Sequence, residues 1–485
     1  MSNSSKTNVS SPKIISIIAA MLFSSVCWYV SYGLSGDYWY LVWLAPIPIL
    51  ILSFRLSAKA AFLIAFIAYA IGRLSWASFL VSVATLVPAI IFTILLSLIF
   101  AVIVLITRRI VVRSGKWWAV FVFPVIWTTI DFLIYKYSAD GSAASIAYTQ
   151  SNLLPLIQIA SVTGMAGISF FVTFFPSAIA VGWYHRHEKQ KLVPLTVTSI
   201  VIILTVFLFG AIRISNHKEG ATLKVGLAVL DEKFHYITDH PELQKEMESA
   251  FSYTREIKKL ADQGARLVVL PERAINITNE TYTSLMEIFM IAAKENHVAI
   301  VAGYTNFKDS PRRNSAMVIN SDGKPIISYN KIHLVTGLEN QFTPGAEIGL
   351  LQFDSIPAGL AICKDLDFPS YIRKYGEKSI TFLCVPAWDF IKDDWLHARM
   401  AILRGVENGF SEIRTARQGR LTISDYTGNV SAEASTAKNN EASLIGEVSL
   451  QKKQTLYSRF GDWFGILNVV IAIFFILVAI RKRAI

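Results

Sequence analysis

The chain has 485 residues, room for two or three domains, and 53% of them are hydrophobic against 17% charged. That balance excludes an ordinary soluble protein. The formal net charge of +11 raises nucleic acid as a partner, but many basic residues lie between apolar runs, which points to a membrane and to no nucleic acid.

Apolar runs long enough to span a bilayer, about 20 residues each, recur along the first 215 positions. They lie at roughly 13–34, 39–54, 57–80, 83–107, 117–135, 157–184 and 193–213, and an eighth closes the chain at 465–480. The run from Lys13 to about Leu34 lacks a small-residue cleavage site and reads as a retained anchor. The second run, "WLAPIPILIL", is short and contains prolines. Lys6 and Lys13, Arg55 and Lys59, Arg108 to Lys116, Arg186 to Lys191, and "RKR" (481–483) fall at alternate ends of these runs. Positive loops face the cytoplasm, so eight spans place both termini inside and the 215–460 segment outside. Residues 1–214 are expected as a membrane domain of about seven helices, 215–460 as an extracytoplasmic domain, and 461–485 as a final span.

The 215–460 segment alternates short β-branched runs with helical periodicity. "TLKVGLAVL" (222–230), "RLVVLPE" (266–272), "VAIVAGY" (298–304), "SAMVIN", "PIISYNK", "GLAIC" and "ITFLCV" read as strands. Residues 242–265, 282–297 and 394–409 read as helices, the last stopped by Gly409. This is an α/β pattern, with sheets covered by helices. Residues 428–455 are polar and read as a loop or arm. No Gly-rich phosphate loop or metal-ligand cluster stands out, and Cys27, Cys363 and Cys384 are too few for a disulfide framework. A bridge between Cys363 and Cys384 is not expected.

Reactive groups of an α/β sheet collect past the carboxyl ends of strands. Glu272 follows "RLVVLP", Lys331 follows "PIISYN" and Cys363 follows "GLAI". Singly, each has a bland reading: a capping or solvated glutamate, a surface lysine, a packed cysteine. Together they supply a base, an oxyanion-stabilising cation and a nucleophile, the set that performs acyl transfer through a thioester.

"LVVLPE", "YNKIHLV" and "GLAICKD", in that order with gaps of 59 and 32 residues, resemble the Glu-Lys-Cys triad of the nitrilase (carbon-nitrogen hydrolase) superfamily. "FTPG" (342–345) fits as well. With the span pattern, and with 146–172 and 387–430 also similar, the chain resembles that superfamily's membrane-embedded branch, the apolipoprotein N-acyltransferases. The resemblance implies an αββα sandwich beside a polytopic helical domain. It implies Glu272 as base, Lys331 on the oxyanion and Cys363 as nucleophile. Glu339 and Asp365 match acidic positions near that site, where either orients Lys331 or binds an incoming ammonium. Trp388, with Phe342, Phe390 and Trp395, is a candidate to overhang it. The resemblance also implies a phospholipid acyl donor, a diacylglyceryl lipoprotein acceptor, no metal or redox cofactor, and a bacterial inner membrane. Lys364 stands where an aromatic is usual and Pro386 where Asn is common. A membrane-anchored amidase acting on a small amide is the alternative. A transporter or receptor reading requires charge inside the spans, and only Arg73 and Asp131 are candidates.

Overall fold

The computed structural model describes residues 12–32, 34–217, 220–235 and 241–480. Lys6 and the 481–483 basic cluster lie outside the described residues. The chain divides into two compact units, Met1–Phe132 with Ala166–Phe207 and Phe464–Ile485, and Leu133–Met165 with Leu208–Trp463.

Seven helices among the described residues are long and apolar enough to cross a membrane. They are Ile14–Ser31, Ala58–Ala84, Leu86–Ser114, Trp117–Tyr137, Met165–Tyr184, Lys189–Ser215 and Trp463–Ile480. The 39–54 run differs from expectation. It forms a 3-10 turn, Trp39–Trp43, and the short helix Pro46–Ser53. A helix of that combined length rises about 22 Å, short of the ~30 Å hydrocarbon core. The 157–184 run also breaks: Leu154–Ile157 and Ala160–Thr163 end at Gly164 (φ +64°) before the long helix starts.

The first unit packs around aromatic rings. Trp28 stacks on Trp127 and meets Tyr69 and Phe100 edge-on. Gly72 permits a close helix approach, since a Cβ there would lie 2.3 Å from that of Trp28. Arg73 and Asp131 are both buried. The Arg73 guanidinium lies 4.5 Å from the Tyr32 ring and 4.4 Å from the Trp76 ring, and Asp131 accepts a hydrogen bond from Ser169.

The second unit holds thirteen strands among the described residues: β1 (Thr222–Val229), β2 (Leu267–Val269), β3 (Ile275–Ile277), β4 (Ala299–Asn306), β5 (Arg313–Ile319), β6 (Pro325–Asn330), β7 (Gly349–Phe353), β8 (Ile356–Leu360), β9 (Phe382–Trp388), β10 (Ser411–Arg417), β11 (Arg420–Ser424), β12 (Val430–Ser435) and β13 (Ala442–Ser449). One sheet runs β13-β1-β2-β4-β5-β6 with β3 beside β4, the other β12-β11-β10-β9-β8-β7. Leu227, Val269 and Val301 of the first sheet share one buried core with Leu360, Phe382 and Ile413 of the second. The outer faces are covered by helices. On Leu243–Asp262, Ala250, Tyr253, Ile257 and Leu260 recur every three or four residues and pack against the first sheet. Helix Pro369–Glu377 and Ala401 of helix Asp394–Asn408 cover the second. The result is the αββα sandwich.

The 428–455 segment is not a loop or arm. It supplies β12 and β13, the outermost strand of each sheet. At these edges the shared core is lined largely by small side chains, Ala432, Ala434 and Ala442, with Leu444 and Val448.

Candidate active site

Three strand exits converge. Glu272 lies just past β2, Lys331 directly follows β6, and Cys363 follows β8. Gly303 on β4 makes room for the first, because a Cβ there would sit 2.4 Å from the Pro271 carbonyl oxygen and 2.7 Å from the Glu272 Cα. Cys363 opens a 3-10 turn, Cys363–Asp367, with φ +42°. A non-glycine residue there stores strain of about 1–3 kcal/mol, which the surrounding packing must hold.

The structure brings Glu272, Lys331 and Glu339 together. Lys331 Nζ donates to Glu272 Oε1 at 2.7 Å and to Glu339 Oε2 at 2.8 Å, all three being nearly inaccessible. Burial disfavours the ammonium, but the two carboxylates outweigh it and hold Lys331 well above its ordinary value. Burial likewise acts against the Glu339 carboxylate, and Lys331 overcomes it and lowers the acid. Cys363 Sγ donates to the Trp388 carbonyl at 3.4 Å. Burial, then the Glu272 carboxylate, push its thiol well above the ordinary range, with Lys331 pulling the other way. The same surroundings thus disfavour the Cys363 thiolate, the reactive form of a cysteine.

Asp365 is fully buried and has a full set of donors. Tyr329 Oη and Ile362 N reach Oδ2 at 2.7 and 3.0 Å, and His333 N, His333 Nδ1 and Ile332 N reach Oδ1 at 2.9, 3.0 and 3.2 Å. Its carboxylate thus ties the cysteine turn to the backbone that follows Lys331. Lys364 turns to Asp140 at 3.3 Å and Asp367 at 3.7 Å. Trp388 is half-buried, with the Arg417 guanidinium 4.0 Å and that of Arg273 5.4 Å from its ring. Phe342 and Trp395 are buried in packing, while Ile391 beside Phe390 is 47% exposed. All three cysteines are free.

Asn314 and the Asp389–Arg414 pair carry no local sequence signal. Asn314, on β5, donates from Nδ2 to both Glu272 and Glu339. Asp389 and Arg414 form a buried bidentate pair beside Trp388. The 133–165 segment belongs to this unit as well. The Ser142 N–H and hydroxyl donate to the Asp367 carbonyl, and Arg404 donates to Tyr148 Oη at 3.1 Å. Among the described residues no group of three or more metal-ligating side chains is present.

Two family models match. The carbon-nitrogen hydrolase model covers residues 239–458, and the model of the apolipoprotein N-acyltransferase N-terminal domain covers 19–178. The apolipoprotein N-acyltransferase of Geobacter metallireducens is 28% identical over 92% of this chain and 92% of its own. That of Bradyrhizobium diazoefficiens is 24% identical over 70% of this chain and 69% of its own. Among solved structures, an amidase from Nesterenkonia sp. aligns at 16% identity over 48% of this chain and 93% of its own, with TM-score 0.42. With both models matched in order and relatives aligned along most of its length, this chain belongs, as a divergent member, to the apolipoprotein N-acyltransferases of the carbon-nitrogen hydrolase superfamily.

Proposed function

We propose that this enzyme moves an acyl chain from a membrane phospholipid, through a thioester on Cys363, to the α-amine of a lipoprotein's N-terminal diacylglyceryl cysteine. The observation that carries the reading is the buried Glu272–Lys331 pair beside the Cys363 turn, on a chain with seven membrane-length helices.

Glu272 takes the thiol proton as Sγ attacks the ester carbonyl. Lys331 faces the oxyanion that forms. The tetrahedral intermediate collapses, the C–O bond breaks, and the lysophospholipid hydroxyl leaves with the proton from Glu272. The acceptor amine then attacks the thioester carbon, the C–S bond breaks, and the amine proton returns to the thiol through Glu272. An amide is more stable than a thioester, so the second step runs forward. Glu339 positions Lys331, Asp365 holds the cysteine turn and the lysine loop in register, and Trp388 supplies the carbonyl that receives the resting thiol.

The catalytic domain lies outside the cytoplasm in this reading. Arg186, Lys189 and Lys191 cluster at the start of helix Lys189–Ser215, and the domain follows its far end. If the basic cluster is cytoplasmic, one crossing puts the domain on the opposite face. Both substrates in this reading are lipids, so both are drawn from the bilayer.

The test is intact mass of the purified enzyme incubated with phospholipid. A gain of one acyl chain, released by hydroxylamine, absent in Cys363→Ala and discharged by a diacylglyceryl peptide, is expected. Discharge by water at the same rate with or without the peptide overturns the transferase reading in favour of an amidase-like hydrolase.

A further inference from the structure

A second charged pair lies behind the nucleophile, on elements outside the triad. Asp389 follows β9 directly. Its Oδ1 and Oδ2 accept from Arg414 Nη2 and Nη1 on β10 at 2.5 and 3.0 Å, with the two side chains 0% and 2% exposed. The Asp389 N–H donates to the Arg417 carbonyl at 2.9 Å, and Arg414 also reaches the Arg420 carbonyl at 3.4 Å. Gly419 closes against the pair, and a Cβ there would stand 2.0 Å from Asp389 Oδ2. Asp389 is therefore held at both main chain and side chain. The residue before it, Trp388, owns the carbonyl that receives the Cys363 thiol.

We propose that Asp389 and Arg414 are positioning residues for Cys363: together they pin the Trp388 carbonyl that orients the thiol, and they set opposed charges beside the sulfur. The inference rests on the reading of Cys363 as nucleophile. Four ionisable groups act on that sulfur. They are Glu272 past β2, Lys331 past β6, Asp389 past β9 and Arg414 on β10, with Asp389 and Glu272 opposing the thiolate and Lys331 and Arg414 favouring it. The pair has neighbours of its own. His397 and Asp393 act on Asp389 from the helix side, and Glu412, on the same strand, acts on Arg414. A bidentate pair holds its two charges at a fixed spacing, so their effects on the sulfur largely cancel. Either charge alone does not cancel.

The test is the rate of Cys363 alkylation by iodoacetamide in the detergent-solubilised full chain at several pH values, read by mass on the Cys363 peptide. Cys27 and Cys384 are buried and do not compete. Asp389→Asn leaves the guanidinium uncompensated, and alkylation at a fixed pH below the thiol's apparent pKa is expected to rise about three- to tenfold, tenfold being one pKa unit. Arg414→Gln is expected to slow it by a similar factor. The double variant is expected to return towards wild type. A merely structural role moves both single variants in the same direction, so shifts of the same sign, or none beyond twofold, overturn the proposal. If Arg414→Gln does not fold, the Asp389→Asn arm decides, and an unchanged or lower rate overturns it. Failure of the underlying reading shows separately, as acyl transfer that persists in Cys363→Ala.

Discussion

Asn314 Nδ2 lies 2.6 Å from Glu272 Oε1, and the same nitrogen lies 2.5 Å from Glu339 Oε1. One amide therefore joins the two carboxylates that also share Lys331, and closes a ring of four buried side chains. Two carboxylates against one ammonium leave the ring more acceptors than the lysine serves, and the Asn314 amide and the Val335 N–H both donate to them. Asn314→Ala removes hydrogen bonds to charged acceptors, each worth roughly 1.5–3 kcal/mol, and is expected to lower thioester formation at least about tenfold. Asn314→Asp keeps the shape but adds a third acid to one cation. A proton must then be shared, and the activity profile is expected to move to higher pH. Single-turnover acylation followed across pH checks both, and an Asn314→Asp profile that overlays wild type refutes the account.

The segment between Leu133 and Met165 braces the cysteine turn at one narrow place. Gly141 has φ +57°, and a Cβ there would lie 2.4 Å from the Asp367 carbonyl oxygen. That carbonyl is the one Ser142 bonds through both its N–H and its hydroxyl. Gly141→Ala is expected to cost about 1–3 kcal/mol, from backbone strain and the forced retreat of the turn. Thermal unfolding in detergent measures it, with acylation rate as the second readout. A variant as stable and as active as wild type shows that the brace is dispensable.

His397 bears on stability through pH. Burial alone lowers its pKa, but the Asp393 carboxylate at 2.7 Å outweighs this and, with Asp367 and Asp389 adding to it, pushes the imidazole up to about 9. A folded value above the unfolded one stabilises fully below about pH 6.5 and is lost as pH rises through about 9, an effect on the order of 3 kcal/mol. Glu412, which burial pushes up to about 8, also makes stability fall as pH rises, but its window starts lower. The comparison therefore needs a variant. Wild type is expected to lose more thermal stability than His397→Gln between pH 6.5 and 9. Equal losses rule out the His397–Asp393 pair as the cause.

Glu272, Lys331 and Cys363 were readable because strand ends are marked locally, by an apolar β-branched run that stops at a polar residue. The same runs marked sheets covered by helices, while the αββα sandwich came with the family resemblance. Asn314 was not readable. It is one polar residue opening a strand, and its partners lie 42 and 25 positions away. Asp389 and Arg414 are not register partners, since Arg414 stands opposite Val385, and only the side-chain geometry shows that they meet. β12 and β13 escaped because Ala, Ser and Glu at a sheet edge look like loop. The 39–54 run looked like a span because hydropathy ignores where Pro46 and Pro48 start and limit a helix. The stretch between the runs at 117–135 and 157–184 gives no hint of its place, since nothing in its composition reveals Lys364, Asp367 and Arg404 as partners.

Asp365 offers the sharpest separation between holding a site and doing its chemistry. It accepts from the main-chain N–H groups of Ile332, His333 and Ile362 and from Tyr329 Oη and His333 Nδ1, and it makes no ion pair with Lys331. Asp365→Asn keeps the volume but turns one acceptor into a donor, facing groups that also donate. Two or more bonds are lost and one buried donor is left opposed, which costs about 2–4 kcal/mol. Both the thermal midpoint and the acylation rate are expected to fall. Asp365→Glu keeps the acceptors on a longer arm, so it recovers charge while moving the lysine loop against the cysteine turn. It is expected to restore stability more than activity. If Asp365 instead binds the acceptor ammonium, Asp365→Asn spares acylation of Cys363 and slows only its discharge by the diacylglyceryl peptide. Measuring the two half-reactions separately distinguishes the cases, and a defect confined to discharge refutes the positioning role.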